Sequence, residues 1–158
     1  MKTLLETILS RELHDPKVAI YNWLDEHEIK NYTLNNKGEV DVDGNVNLSS
    51  RDLIEIPSFI QFGTVKGYFT CCYSRLTTLR GCPRIVKKNF YCHGNNLTTL
   101  EGAPREVGGD FICYANNLTT LEGASEKVEG KFNCKVNTTK FTEDDVKKVC
   151  KVKGKIAV

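Results

Sequence analysis

The chain is short of the residues that several function classes require. Its 158 residues include only one tryptophan, one methionine, three histidines and four prolines. It contains no His-rich metal motif, no glycine loop of the kind that cradles phosphate, and no paired-carboxylate pattern. These absences point away from an enzyme, and no cofactor or metal is expected. No run approaches the ~18 apolar residues of a membrane span. The start, Met1-Lys2-Thr3-Leu4-Leu5-Glu6, meets charged and polar residues at once, unlike a secretory leader, so a cytoplasmic protein is expected. Charge is also nearly absent as a net quantity. A formal balance of +2 gives no overall pull toward nucleic acid or acidic lipid. With 40% hydrophobic and 27% charged residues, the chain still has the composition of a folded domain.

Seven cysteines are present, an odd number, and without a leader they are expected as reduced thiols rather than a disulfide framework.

What the chain has in quantity is internal repetition. Written at a period of 21 from Val65, three segments align: VKGYFTCCYSRLTTLRGCPRI, VKKNFYCHGNNLTTLEGAPRE and VGGDFICYANNLTTLEGASEK. The shared columns are Val65, Val86 and Val107; Phe69, Phe90 and Phe111; Cys71, Cys92 and Cys113. Leu76, Leu97 and Leu118 follow, then Leu79, Leu100 and Leu121. A polar column, Ser74, Asn95 and Asn116, stands three residues after each cysteine. Gly81, Gly102 and Gly123 mark the turn. A decayed copy continues through Val128, Phe132, Cys134 and Asn137. A looser one precedes, through Val42, Val46, Leu48, Leu53 and Ile56, with two extra residues before Val65. The array therefore reads as about five rungs.

Phe90-Tyr91-Cys92-His93 alternates, with Phe and Cys pointing one way and Tyr and His the other, which predicts one β-strand per rung. One 21-residue unit cannot bury its own apolar face, so copies must stack and their strands pair side by side. A parallel β-solenoid follows, of α+β class because both ends carry helical patterns. Leu4, Leu5 and Ile8, then Val18, Ile20, Trp23 and Leu24, have helical spacing, and Asp15-Pro16 is a helix start. Two helices within an N-terminal cap over residues 1–38 are expected, with Trp23 plugging the first rung. The solenoid occupies 39–140. A short helix from Thr142 to Cys150 and a basic tail that adds an edge strand make a C-terminal cap over 141–158.

The order Phe-x-Cys-x-x-Asn-x-Leu-x-x-Leu resembles the leucine-rich repeat, whose consensus reads Leu-x-Leu-x-x-Asn/Cys-x-Leu-x-x-Leu. More narrowly, NNLTTLEGAP and the lead-in NYTLN are similar to the short repeat proteins of T4-like tailed bacteriophages, over Val42 to about Val136. The resemblance implies a right-handed, leucine-rich-repeat-like solenoid. It also implies a bacterial host or antiviral-defence protein as the target, bound and inhibited or redirected.

The cysteine column reads as core, since structural metal sites use closely spaced pairs rather than one thiol per rung. Cys72, next to Cys71, falls on the opposite face and is expected to be exposed. With His93 one rung away it suggests a thiol nucleophile, but no third group is in view to orient the histidine. The Ser/Asn column reads as satisfying backbone groups at a bend.

The outward positions remain. Tyr68, Asn89 and Asp110 form one column, Tyr91 and Ile112 belong to the next, and Cys72, His93 and Tyr114 to a third. Tyrosine combines contact area with a hydrogen-bonding tip. Tyr68, Asn89, Tyr91, His93, Asp110, Ile112 and Tyr114 are therefore the candidate partner-binding residues. A second candidate is a basic patch of Arg75, Arg80, Lys87, Lys88, Lys151 and Lys153, joined by Arg84, Arg105 and the remaining tail lysines. The functional expectation is a non-catalytic protein-binding module. The alternatives are a nucleic-acid-binding accessory protein using the basic tail and a virion or assembly component.

Overall fold

A computed structural model describes residues 15–158. It is a parallel β-solenoid of six turns carrying two short helices. The expected helix around Leu4, Leu5 and Ile8 lies outside the described residues.

Each turn contributes two strands, not one. The first sheet holds β2 (Val40–Val42), β4 (Phe62–Val65), β6 (Ile85–Val86), β8 (Glu106–Val107), β10 (Lys127–Val128) and β12 (Lys151–Val152), stacked in parallel in that order. The second holds β3 (Val46–Asn47), β5 (Phe69–Thr70), β7 (Phe90–Tyr91), β9 (Phe111–Ile112), β11 (Phe132–Asn133) and β13 (Ile156–Ala157). Between the two strands of one turn the chain bends through three residues, such as Lys87-Lys88-Asn89. The third side, bearing Leu76 and Leu79 or their equivalents, carries no strand in the central turns. Thr119 N–H still bonds Thr98 carbonyl at 3.0 Å, so rungs are tied there too.

The 21-residue columns become vertical lines of contact. Val65 stands beside Val86, and Val86 beside Val107. Phe69, Phe90, Phe111 and Phe132 stack along the axis with ring centroids 4.9–5.8 Å apart. Burying such a ring is worth roughly 3 kcal/mol, which makes this column the spine of the core. Leu76, Leu97 and Leu118 close it from the third side and are fully buried.

The Ser/Asn column is a hydrogen-bond ladder. Asn95 accepts from the backbone N–H of Ser74 and of Leu76 at 3.0 Å, and donates to the carbonyls of Cys71 and Cys92 at 2.9 and 3.0 Å. Asn116 repeats the arrangement one rung on. One amide thus satisfies both its own rung and the preceding one, as the position requires. The residue before each ladder position is left-handed: Tyr73, Gly94, Ala115 and Val136 have φ between 51° and 68°. Only one is glycine, so the amide ladder holds the others against their preference.

The termini differ from expectation. Helix α1 (Pro16–Glu26) starts on Asp15, whose side chain accepts from Lys17 N–H at 2.9 Å, and buries Ile20, Trp23 and Leu24. Trp23 lies edge-on to Phe62. Before the first full turn, β1 (Tyr32–Leu34) pairs antiparallel with β2, inside the segment read as helical cap. Helix α2 (Glu143–Val149) starts with a reciprocal Thr142/Asp145 capping box. It does not close the coil. The tail beyond it returns to both sheets as β12 and β13 and makes the sixth turn, where five had been expected.

Candidate functional site

The outer face of the second sheet gathers several of the candidate residues. Its middle column runs Thr70, Tyr91, Ile112 and Asn133, and the next runs Ser49, Cys72, His93, Tyr114 and Lys135. His93 stacks on Tyr114 with ring centroids 4.5 Å apart and planes 12° from parallel. Tyr73 stands edge-on to His93 at 5.1 Å, and its hydroxyl lies 3.4 Å from that of Tyr114. Tyr91 approaches His93 edge-on from the other side at 6.3 Å. Tyr73 is 59% exposed. Its ring covers Gly94, where a β-carbon has no room. The cluster is an aromatic platform on rigid strands.

Tyr73 was not singled out from the sequence. Strict alternation from Phe69 and Cys71 would turn it inward, but the left-handed backbone at this position leaves the ring exposed. The signal available was its column: glycine and alanine occupy the same place in the next two rungs.

Cys72, expected to be exposed, is buried at 4% exposure. Thr70 and Ser49 cover it. Ser49 Oγ accepts the Cys72 N–H at 3.0 Å and bonds the Thr70 hydroxyl at 2.7 Å, and that hydroxyl donates to Cys72 Sγ at 3.3 Å. His93 Nδ1 lies 3.1 Å from the sulfur. Burial pushes the Cys72 thiol above its ordinary pKa, more than the Thr70 bond lowers it. Burial also lowers the His93 imidazole. Both shifts disfavour a thiolate–imidazolium pair and hold neutral groups, with the thiol donating to the ring. Among the described residues, His93 makes no second hydrogen bond that would orient it.

Ile112 also departs from expectation. It lies on the outer face but is only 9% exposed, hemmed by the columns on either side. It supports the platform rather than presenting itself. Asn89 and Asp110 are corner posts: Asn89 accepts the N–H of Asp110, and Asp110 that of Lys131, each at 2.8 Å. Asn89 also donates to the Tyr91 hydroxyl at 2.6 Å, fixing that ring. Tyr68, above Asn89 in the same column, is 36% exposed at the edge of the face. Lys131 and Lys155 continue that column toward the C-terminal end of the coil and Lys135 follows Tyr114 in its own, and none of the three is ion-paired among the described residues.

The basic residues do not assemble as one patch. Lys87, Lys88 and Lys153 lie at the corner between the sheets, Arg75 at the corner after the second sheet, Arg80 on the third side and Lys151 on the first sheet. Several are paired: Arg75 with Asp52 at 2.6 Å and Lys153 with Glu129 at 2.6 Å. The column cysteines Cys71, Cys92, Cys113 and Cys134 are buried. Cys113 Sγ donates to Asn133 carbonyl at 3.4 Å. No protein-family model matches the chain, and no curated protein or solved structure matches it. Among the described residues, no helix is long and apolar enough to cross a membrane.

Proposed function

We propose that the chain is a non-catalytic protein-binding module that docks its partner on the outer face of the second sheet. One observation carries the reading. Tyr73, His93, Tyr91 and Tyr114 form a packed aromatic cluster outside the core, with Tyr73 exposed and the other three partly so, on a backbone fixed by two hydrogen-bond ladders. Pre-ordered aromatics bind at low entropic cost and supply most of the energy at protein interfaces. Lys131, Lys135 and Lys155, without ion pairs among the described residues, favour a partner segment that combines an apolar or aromatic anchor with flanking acidic residues. The repeat order supports a leucine-rich-repeat-like ancestry. Its likeness to short repeat proteins of tailed bacteriophages supports a cytoplasmic host or antiviral-defence protein as the partner, held inactive or redirected.

The test is affinity capture from a bacterial lysate with the wild type beside Tyr73→Ala/Tyr114→Ala and beside Lys135→Glu, each at two salt concentrations. A protein retained by the wild type, lost with the double variant and weakened by Lys135→Glu supports the reading. Equal capture by the wild type and the folded double variant removes the aromatic face. Salt-sensitive retention of nucleic acid by all three chains would instead favour a nucleic-acid-binding protein.

A further inference from the structure

The outer side of the first sheet holds a groove of about 810 Å3, within the range that encloses a small ligand. Ile85 and Ala103, partly exposed over the buried Ile60 and Pro83, give its floor an apolar strip from successive rungs beside the polar Gln61 and Thr64. One end is walled by the β1–β2 hairpin, and the network there is built rather than incidental. Asn35 donates to Glu39 at 3.2 Å and to Asp41 at 3.3 Å, and Asp41 accepts the N–H of Thr64 at 2.7 Å. Gly63 has no room for a side chain because Asp41, Asn35 and Glu39 crowd its α-carbon.

Glu39 is buried, and its carboxylate receives Nε of Arg84 from two turns away. The guanidinium beside it holds the Glu39 carboxyl below the usual range. Arg84 is thereby fixed from behind while its side chain stays 61% exposed. A guanidinium tethered through Nε still presents its two terminal amino groups as a planar fork, the geometry that grips carboxylate or phosphate. Arg105 occupies the same position one rung on, its N–H bonded to Arg84 carbonyl at 2.8 Å, and Arg80 also lines the groove. Of the carboxylates lining the groove, Glu39 is paired with Arg84, Asp41 is held by two neutral donors, and Glu55 is exposed on the facing loop. Arg105 meets Glu106 at 3.0 Å in an exposed pair outside the groove, from which a bound anion draws one of its amino groups.

We propose that this groove binds a small organic oxyanion, a phosphate monoester or carboxylate carried on a flat apolar body. Arg84 and Arg105 grip the anion, and the apolar strip takes the body. The site uses a different wall from the aromatic face and does not depend on that face binding protein.

The experiment follows backbone amide resonances of the 15N-labelled full chain during titration with phenyl phosphate, phenylacetate, inorganic phosphate and benzyl alcohol. Saturable shifts at Gly63, Thr64 and Ile85 are expected with one or both aromatic anions, about fivefold tighter than with inorganic phosphate, and none with benzyl alcohol. The tighter of the two anions identifies the head group. Arg105→Gln leaves the Glu39–Arg84 pair intact and is expected to weaken binding at least about fivefold. Glu39→Gln/Arg84→Gln removes the grip without stranding a buried carboxylate and is expected to abolish it. Thermal melts establish that both variants fold. Absence of saturable shifts with either anion up to about 10 mM overturns the proposal. So does binding that both folded variants retain at full strength, or shifts that map elsewhere on the coil.

Discussion

The two walls of the coil share one backbone plan and differ in what they show to solvent. Inside, both present the same kind of column, valine from the first sheet and phenylalanine from the second. Outside, the first wall runs Thr64, Ile85, Glu106, Lys127 and Lys151, with Glu106 paired to Arg105 and Lys127 to Glu129 at the adjoining corner. The second wall carries aromatic rings packed on one another, with Lys131, Lys135 and Lys155 toward its C-terminal end making no ion pair among the described residues. Because the fold is satisfied from within, the outer columns are free to differ, and the difference between them separates scaffold from recognition.

Removing a shared element should damage both walls together. Phe111→Ala deletes the middle of the stack and is expected to cost about 3–5 kcal/mol, read as a fall in the urea midpoint. Asn116→Ala comes next. It leaves the N–H of Leu97 without a partner and takes one of two amide donors from each of the Cys92 and Cys113 carbonyls, at a cost of about 1–3 kcal/mol by the same measurement. A change specific to one wall should behave otherwise. Tyr73→Ala/Tyr114→Ala is expected to shift the midpoint by less than about 1 kcal/mol while abolishing capture, whereas Lys127→Ala on the opposite wall changes neither appreciably. A double variant that unfolds would place these rings in the scaffold.

The buried thiols add a pH dependence that belongs to the interior alone. Burial pushes Cys134 and Cys150 up to about 11 and Cys92 and Cys113 well above their ordinary value, and Cys71 is raised by its hydrogen bond with Cys82 and then by burial. Unfolded thiols ionise near pH ~8.5, while these keep their protons in the folded state. Stability is therefore complete below that pH and falls as pH rises toward about 11. The urea midpoint should decline across this window, less steeply in Cys92→Ala. A flat profile would mean the thiols are not desolvated. The smallest effect is expected at Val136, a β-branched residue in left-handed backbone with 77% exposure. Val136→Gly should raise the midpoint by roughly 0.5–1 kcal/mol, the relief of strain exceeding glycine's added unfolded-state freedom.

The axial arrangement was legible in the sequence because vertical contact repeats the same letters. The stacked phenylalanines, the leucines of the third side and the amide ladder could all be read from the 21-residue columns. The second strand of each rung could not. A strand of two residues, such as Ile85–Val86, is too short to show alternation. The burial of Cys72 depends on hydroxyls of Thr70 and of Ser49, the latter from the preceding, atypical rung. Asn89 and Asp110 read as free surface because nothing in a single rung shows that their oxygens reach the next one. The groove was hidden for a similar reason. Glu39 and Arg84 are 45 residues apart and meet only because an antiparallel hairpin crosses the start of a parallel stack.

The side of the coil without strands bears on how such a chain can change. Val42 to Val65 is 23 residues, each central step is 21, and Val128 to Val152 is 24, yet the parallel stack continues, with one register shift where Val40 faces Phe62 and Val42 faces Val65. Helix α2 absorbs the last step's surplus on the third side, and the loop over residues 54–60 shares the first step's with that register shift. Codons gained or lost there alter loop length without rotating any ring or thiol out of its column. The same change between the two strands of a rung would turn phenylalanine to solvent. Heritable variation in length should therefore collect along one edge of the molecule and leave the two walls to diverge by substitution alone.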